Sequence, residues 1–382
     1  MKDLLWLDNL KLRVGYGKTG NSAVSPYQTK GQLALRHYVF NNGSSEYIGY
    51  APSVMANDQL TWETTDQWNV GVDFGFLKNR INGTVEFYLQ NTKDLLLKRQ
   101  LPVVSGFSSV MSNVGSTRNK GVEITLNTRN IMNRNFTWST DLTFSANKEE
   151  IVELYNGKTD DVGNLWFIGQ PIDVYYNYKK IGIWQNTEND LAEMAKFNEK
   201  GANFKPGSIR LEDVDGDYKI TEEDKQILGS VRPKFVASMV NNFEFKGFDL
   251  SVFLYASVGG LLRNNIEFME KPGRGNTVKV DYWTPTNPTN AFPRPSVDVE
   301  KLDYISTLGY DKADFLRIRN ITLGYTLPEM WSKKVLMDKI RIYLSANNPA
   351  IFTNFTGIDP EGANGRTAPS YSTWMFGINL SM

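Results

Sequence analysis

Between Asp213 and Asp224 the chain reads Asp213-Val214-Asp215-Gly216-Asp217-Tyr218-Lys219-Ile220-Thr221-Glu222-Glu223-Asp224. Counted from Asp213, side-chain oxygens fall at positions 1, 3, 5, 9 and 12, a backbone carbonyl is available at position 7 from Lys219, and an apolar residue stands at position 8. A ring of hard oxygens at this spacing suits calcium, with Asp213, Asp215, Asp217, the Lys219 carbonyl and Asp224 as ligands and Thr221 acting directly or through water. Two positions depart from the pattern. Tyr218 stands where a glycine normally makes the sharp turn, and Asp224 replaces the bidentate glutamate. The competing structural reading is an acidic Asp-Gly turn followed by a short helix that Thr221 caps, with Glu222 and Glu223 in its first turn. Calcium is the one ion the sequence suggests, and nothing in it requires an organic cofactor.

A second cluster is aromatic. Tyr282, Trp283 and Phe292 lie among Pro285, Pro288, Pro293 and Pro295, a stiff surface of the kind that stacks on sugar rings or docks a lid protein. The alternative is that these rings pack their loop onto whatever lies beneath. Enzymatic readings find little support. The single His37 has no nucleophile or acid pair at a recognisable spacing, and the chain has no cysteine. The run Gly15-Tyr16-Gly17-Lys18-Thr19-Gly20 lacks the four-residue gap of a phosphate loop and sits inside a strand pattern. With 42 basic and 42 acidic residues there is no net field to gather nucleic acid.

The elements that must position these groups are strands. Apolar and polar residues alternate in Trp68-Val70-Val72-Phe74-Phe76, Trp138-Thr140-Leu142-Phe144 and Trp374-Phe376-Ile378-Leu380-Met382. The residues between them are Asn, Gly, Asp, Ser and Thr, with Met375 the one apolar exception. Aromatics, 13% of the chain, often sit at the ends of such runs, where membrane-interface girdles belong. Strands are expected near 10–20, 64–77, 80–97, 113–128, 135–151, 231–245, 247–262, 313–327, 338–353 and 371–382. The links at 77–79, 130–135 and 246–247 are tight, whereas 21–63, 98–112, 152–230, 263–312 and 354–370 are long. Repeated alternation of this kind, ended by aromatics and tight polar turns, is the signature of a transmembrane β-barrel. Outer-membrane barrels have short periplasmic turns and long outer loops, so the long set is expected outside. That parity keeps the strand-like segment 172–184 in the outer loop 152–230, together with the calcium-like run. The outward set Trp68, Val70, Val72, Phe74 and Phe76 is expected in lipid and Asn69, Gly71 and Asp73 in the lumen, so Lys at Val72 should be worse tolerated than Lys at Asp73.

Met1-Lys2-Asp3-Leu4-Leu5-Trp6-Leu7-Asp8 has no apolar leader or small-residue cleavage site. An exported barrel with this beginning is expected to be a piece of a longer polypeptide, with signal peptide and plug domain absent from the piece.

Three runs stand out in order along the chain: Leu60-Thr61-Trp62-Glu63, Asn113-Val114-Gly115-Ser116-Thr117-Arg118-Asn119-Lys120-Gly121-Val122-Glu123-Ile124 and Phe315-Leu316-Arg317-Ile318-Arg319-Asn320-Ile321-Thr322-Leu323-Gly324-Tyr325-Thr326-Leu327-Pro328. Together they resemble the C-terminal part of the SusC/RagA family of TonB-dependent outer-membrane transporters. Gly169-Gln170-Pro171-Ile172, Tyr282-Trp283-Thr284-Pro285, Arg341 to Asn348 and Gly357-Ile358-Asp359-Pro360-Glu361 continue the likeness over nearly the whole chain. The resemblance implies an all-β antiparallel transmembrane barrel segment, residues 1–382 supplying about ten strands of a barrel of about 22. It further implies import of a glycan, oligosaccharide or peptide across the outer membrane of a Gram-negative bacterium. The implied partners are lipid, a SusD-like lipoprotein lid and the TonB complex, the last acting through a plug. A soluble or surface-attached all-β carbohydrate-binding module stabilised by calcium is the alternative, separated by detergent requirement. A passive porin is a further one, separated by a plug-encoding sequence upstream.

Overall fold

The computed structural model describes residues 6–22, 27, 29–43, 45–264, 280–296, 302–362 and 370–382. The start Met1–Leu5 and parts of the long loops 21–63, 263–312 and 354–370 lie outside the described residues. Ten long strands form the main ladder: β1 Leu7–Asn21, β2 Glu63–Phe76, β3 Ile81–Lys93, β4 Ser116–Met132, β5 Phe136–Glu153, β6 Phe235–Phe245, β7 Phe248–Val258, β8 Phe315–Thr326, β9 Lys339–Thr353 and β10 Thr373–Ser381. Their hydrogen-bonding order is their chain order, an up-and-down meander. All ten expected strands are present, and no described helix is long and apolar enough to cross a membrane. The chain divides into two compact units, Met1–Thr125 with Ser145–Ile172, and Leu126–Phe144 with Asp173–Met382.

In the first unit the register sorts side chains by chemistry. Leu12 faces Val72 and Val72 faces Val85; Val14 faces Val70 and Val70 faces Phe87; Tyr16 faces Trp68 and Trp68 faces Leu89. The alternate positions carry Arg13, Asn69, Gly71, Asp73, Glu86 and Tyr88. Because side chains alternate across a strand, one surface of this ladder is continuously apolar and the other polar. The polar surface is cross-linked. Arg13 donates to both Asp73 oxygens at 2.9 and 3.0 Å and lies 2.5 Å from Glu86, while Thr84 donates to Asp73 at 3.0 Å.

In the second unit the same sorting runs from β6 to β10. Asn241 apart, its apolar face holds Met239, Phe243, Leu250, Val252, Leu254, Ile321, Leu323, Ile342, Leu344, Phe376, Ile378 and Leu380. Leu323, Leu344, Phe376, Ile378 and Leu380 are exposed, Phe376 by 72%. A water-soluble sandwich would cover such a face with a second sheet. At the short-turn end of this unit Phe136, Trp138 and Phe243 stack, and Phe248 lies over Tyr325 with ring centroids 4.5 Å apart, an aromatic band near the end of the apolar face.

One strand breaks the period and repairs it. In β8 the apolar residues run Leu316, Ile318, then Ile321, Leu323, a phase slip of one residue. Register shifts between Ile318 and Asn320 against both neighbours absorb the slip, leaving Arg319 as the extra residue against β7 and setting it against two residues, Asn348 and Pro349, of β9. The bulge keeps the apolar face intact on either side of it. Opposite it, Asn348 takes a left-handed φ of 49° and Pro349, which has no N–H to give, occupies the irregular part of β9.

Asp73 is therefore no neutral comparator for a lysine at Val72, because replacing it removes one of the two carboxylates that hold Arg13. Asn69, exposed on the polar surface, replaces it in that role. Val72→Lys is expected to lower stability by about 2–4 kcal/mol, the usual range for a cation on a lipid-facing strand position, and Asn69→Lys by much less. Reversible unfolding of a full-length parent in lipid measures both, and equal losses would contradict the facing.

Candidate functional site

Within the second unit the loop 173–230 folds with residues from 281–308 into a small body with its own core. Val174–Tyr178 pairs with Lys225–Ser230 and Lys180–Ile183 with Ile209–Leu211, so the strand-like segment 172–184 belongs to the loop and not to the main ladder, as parity requires. Helix α1, Glu188–Glu199, starts at Thr187, whose hydroxyl accepts the Asp190 N–H at 3.3 Å, and it buries Met194 and Phe197. Those two pack with Trp184 and Phe204. Arg210 holds the helix to the adjoining strand, its guanidinium 4.4 Å from the Trp184 ring centroid, 3.2 Å from Asp190 and 2.7 Å from Glu193. A neighbouring core joins Ile183, Ile209, Leu211, Ile305 and Leu308 around Trp283.

The structure separates the three aromatic residues the sequence singles out. Trp283 is only 5% exposed and donates its indole N–H to Gln185 at 2.8 Å. A buried, satisfied ring cannot stack on a ligand, so its expected contact role is replaced by a packing role. Phe292 pairs through its backbone with Trp283 and lines a pocket of about 580 Å³ with Lys180, Gln226, Asn264, Tyr310 and Asp311. Tyr282 is exposed. In the pocket wall, Lys180 donates to the carbonyls of Asn290 and Ala291 at 2.8 and 2.7 Å, and burial pushes its amine below the usual lysine range against the opposing pull of Asp311.

The acidic run forms a tight turn. Asp213 accepts the N–H groups of Gly216 and Tyr218, each at 2.9 Å; Asp215 accepts that of Asp217 and Asp217 that of Lys219. Asp224, fully buried, accepts from Val214 at 2.8 Å and Thr221 at 2.7 Å. Asp213, Asp215 and Asp224 bring carboxylate oxygens within 4.8 Å of one another, and Asp217 stays outside that trio. The Thr221 hydroxyl accepts the Glu223 N–H at the start of a short 3-10 turn, the capping role of the acidic-turn reading. Tyr218 takes the glycine-like left-handed conformation, φ 61°. Packing explains its presence there: its ring meets Phe197 edge-on at 5.4 Å and lies under the Lys196 ammonium at 5.0 Å. Such contacts offset the backbone penalty that glycine would avoid.

A charged cluster not recognised from the sequence joins two of its quoted runs. Arg317 of β8, 3% exposed, lies 2.7 Å from Asp359 and, through Nε, 2.9 Å from Glu361, the latter without hydrogen-bond alignment. Arg319 also meets Glu361, and Ser370 donates to Asp359. Burial would raise the Asp359 carboxyl, but bonds from Ser370, the Glu361 N–H and Arg317 outweigh it and hold the group below the usual aspartate range. An aspartate so lowered stabilises the fold above its unfolded value and loses that contribution as pH falls through its folded one. This anchor is expected to weaken only in acid below about pH 4. At neutral pH, Asp359→Asn is expected to reduce local stability by about 3 kcal/mol, because Arg317 is left buried beside one acid, and Arg317→Met with Asp359→Asn should recover much of it. Hydrogen exchange at 354–362 reads both, and an unchanged rate in Asp359→Asn would remove the anchoring role.

The family described as TonB dependent receptor-like, beta-barrel, matches residues 3–349. TonB-dependent receptor P3 of Formosa agariphila is 32% identical over 412 residues, covering 100% of this chain and 40% of that protein. TonB-dependent receptor SusC of Bacteroides thetaiotaomicron is 31% identical over 402 residues, covering 100% and 38%. Among solved structures, the RagAB peptide importer in its open-open state superposes with a TM-score of 0.79 at 26% identity over 100% of this chain and 41% of that one. The chain spans about two fifths of the length of the curated relatives it matches.

Proposed function

Because the chain belongs to the TonB-dependent receptor β-barrel family, we propose that it is the C-terminal barrel portion of an outer-membrane nutrient importer. The observation that carries this reading is the segregation of faces in both units, one apolar and the other polar and ion-paired, which is what a membrane wall with lipid on one side and solute and plug on the other requires. On that reading the short turns lie in the periplasm and the folded loop body at the outer mouth, beneath a SusD-like lipoprotein, with TonB acting through a plug. The cargo is a peptide or an oligosaccharide; likeness to the RagAB peptide importer supports the first. The pocket beside Phe292 and the exposed Tyr282 are candidate contacts for cargo or lid. In cells growing on the cargo, removing 173–230 from the full-length parent is expected to abolish growth while the barrel still assembles, and loss of TonB function should have the same effect. Growth at the wild-type rate in either strain would contradict the reading.

Calcium at Asp213, Asp215 and Asp224 is proposed as a structural clamp on that loop body, with the Lys219 carbonyl and Thr221 completing the shell. The support is the convergence of three carboxylates whose mutual repulsion a dication relieves. Calcium titration of the parent should protect residues 205–230 from protease, chelator should undo this, and Asp215→Ala should abolish the response while Asp217→Ala leaves most of it. Identical protection in all conditions would leave an acidic turn held by its own N–H bonds.

A further inference from the structure

The connection between β8 and β9 exposes an unusual set of side chains. Met330, Trp331, Val335 and Leu336 are all exposed, Leu336 by 90%, and Lys333 and Lys334 stand between them. Leu336 also takes a left-handed φ of 59°, a conformation that glycine or asparagine reaches more easily. The left-handed residue closes the short helical segment, with the Leu336 N–H on the Lys333 carbonyl at 3.2 Å and the Met337 N–H on that of Ser332 at 3.1 Å, whereas the exposed apolar side chains gain nothing from standing in water. The backbone is nevertheless tied down. Ser332, fully buried, shares its hydroxyl between the carbonyls of Glu329 and Asp338 at 3.2 and 3.3 Å, Asp338 donates its N–H to Ser381 at 2.8 Å, and Leu327 donates to Ile340 at 2.9 Å. The segment is thus a fixed platform at the short-turn end of its unit. It follows directly on β8, whose apolar face carries the Phe248–Tyr325 ring pair near this end.

We propose that residues 328–337 form a foot lying in the interface of a phospholipid leaflet, with Trp331, Val335 and Leu336 at the boundary of the acyl chains and Lys333 and Lys334 on anionic phosphates. The composition is that of interfacial anchors, a tryptophan with large aliphatics beside lysines whose long stems reach headgroups. Among the described residues Lys333 has one ion-pair partner, the exposed Glu329 at 3.2 Å, so it keeps donors for a phosphate. The proposal rests on the membrane reading and adds to it a lipid contact made outside the strands.

The test is nitroxide accessibility in the full-length parent, other cysteines removed, reconstituted in vesicles of phosphatidylcholine with or without phosphatidylglycerol. Labels are placed at Leu336→Cys, at Val252→Cys on the apolar strand face and at Asn189→Cys on the exposed side of α1. Expected is collision with oxygen in excess of collision with an aqueous nickel chelate at Val252 and Leu336, and the reverse at Asn189. Lys333→Glu with Lys334→Glu should raise nickel access at Leu336 severalfold in vesicles holding phosphatidylglycerol and change it little without that lipid. Water access at Val252 would defeat the membrane reading itself. Lipid access at Val252 with water access, or with no access to either probe, at Leu336 would leave that reading standing and overturn the foot.

Discussion

Antiparallel pairing in a two-residue period is the constraint on which the rest of the molecule depends. In hydrocarbon no water can satisfy an open backbone N–H or carbonyl, so each strand must complete its ladder with its neighbours. Once the ladder is fixed, a slip of one residue would turn every apolar side chain of that strand to the wrong face. The pairs Val72 with Leu12 and Val85, and Leu250 with Phe243 and Leu323, show the apolar set kept in phase from strand to strand. The bulge at Arg319 follows from the same rule. Without it either Leu316 and Ile318 or Ile321 and Leu323 would face the polar side, and with it Arg317 remains on the polar side, where it meets Asp359.

The same rule made the ladder legible from sequence. Alternation and turn residues place ten strands near their observed limits, and counting strand directions assigns 172–184 to a loop. Side-chain roles that depend on distant partners were not legible. Trp283 looked like a ligand platform because its neighbours in sequence are prolines and Tyr282, yet its surroundings come from Ile183, Ile209 and Ile305. Tyr218 looked like a defect in a calcium loop, and the reason for it is the Phe197 ring on α1. Arg317 and Asp359 stand 42 positions apart, and the phase slip at Arg319 was the one local sign that this part of β8 does more than span.

These long-range contacts give the loop body a rigidity that isolated loops lack. Two small cores, the Arg210 clamp on α1 and the hydrogen-bonded acidic turn tie it together, and the Arg317 cluster holds residues 359–361. On the proposed importer reading such order suits an outer mouth, because a surface that must meet cargo and lid binds better when its ordering is already complete. A dication at Asp213, Asp215 and Asp224 would add to this order without entering any chemistry.

The central claim is that the apolar face of this chain lies in lipid. Photo-crosslinking in native outer membranes tests it most directly, with a benzoylphenylalanine placed in the full-length parent at Val252 or at its neighbour Ser251, which points to the opposite face. The account predicts phospholipid adducts from Val252 and none above background from Ser251. Equal lipid adducts from both positions, or adducts from Ser251 alone, would contradict it.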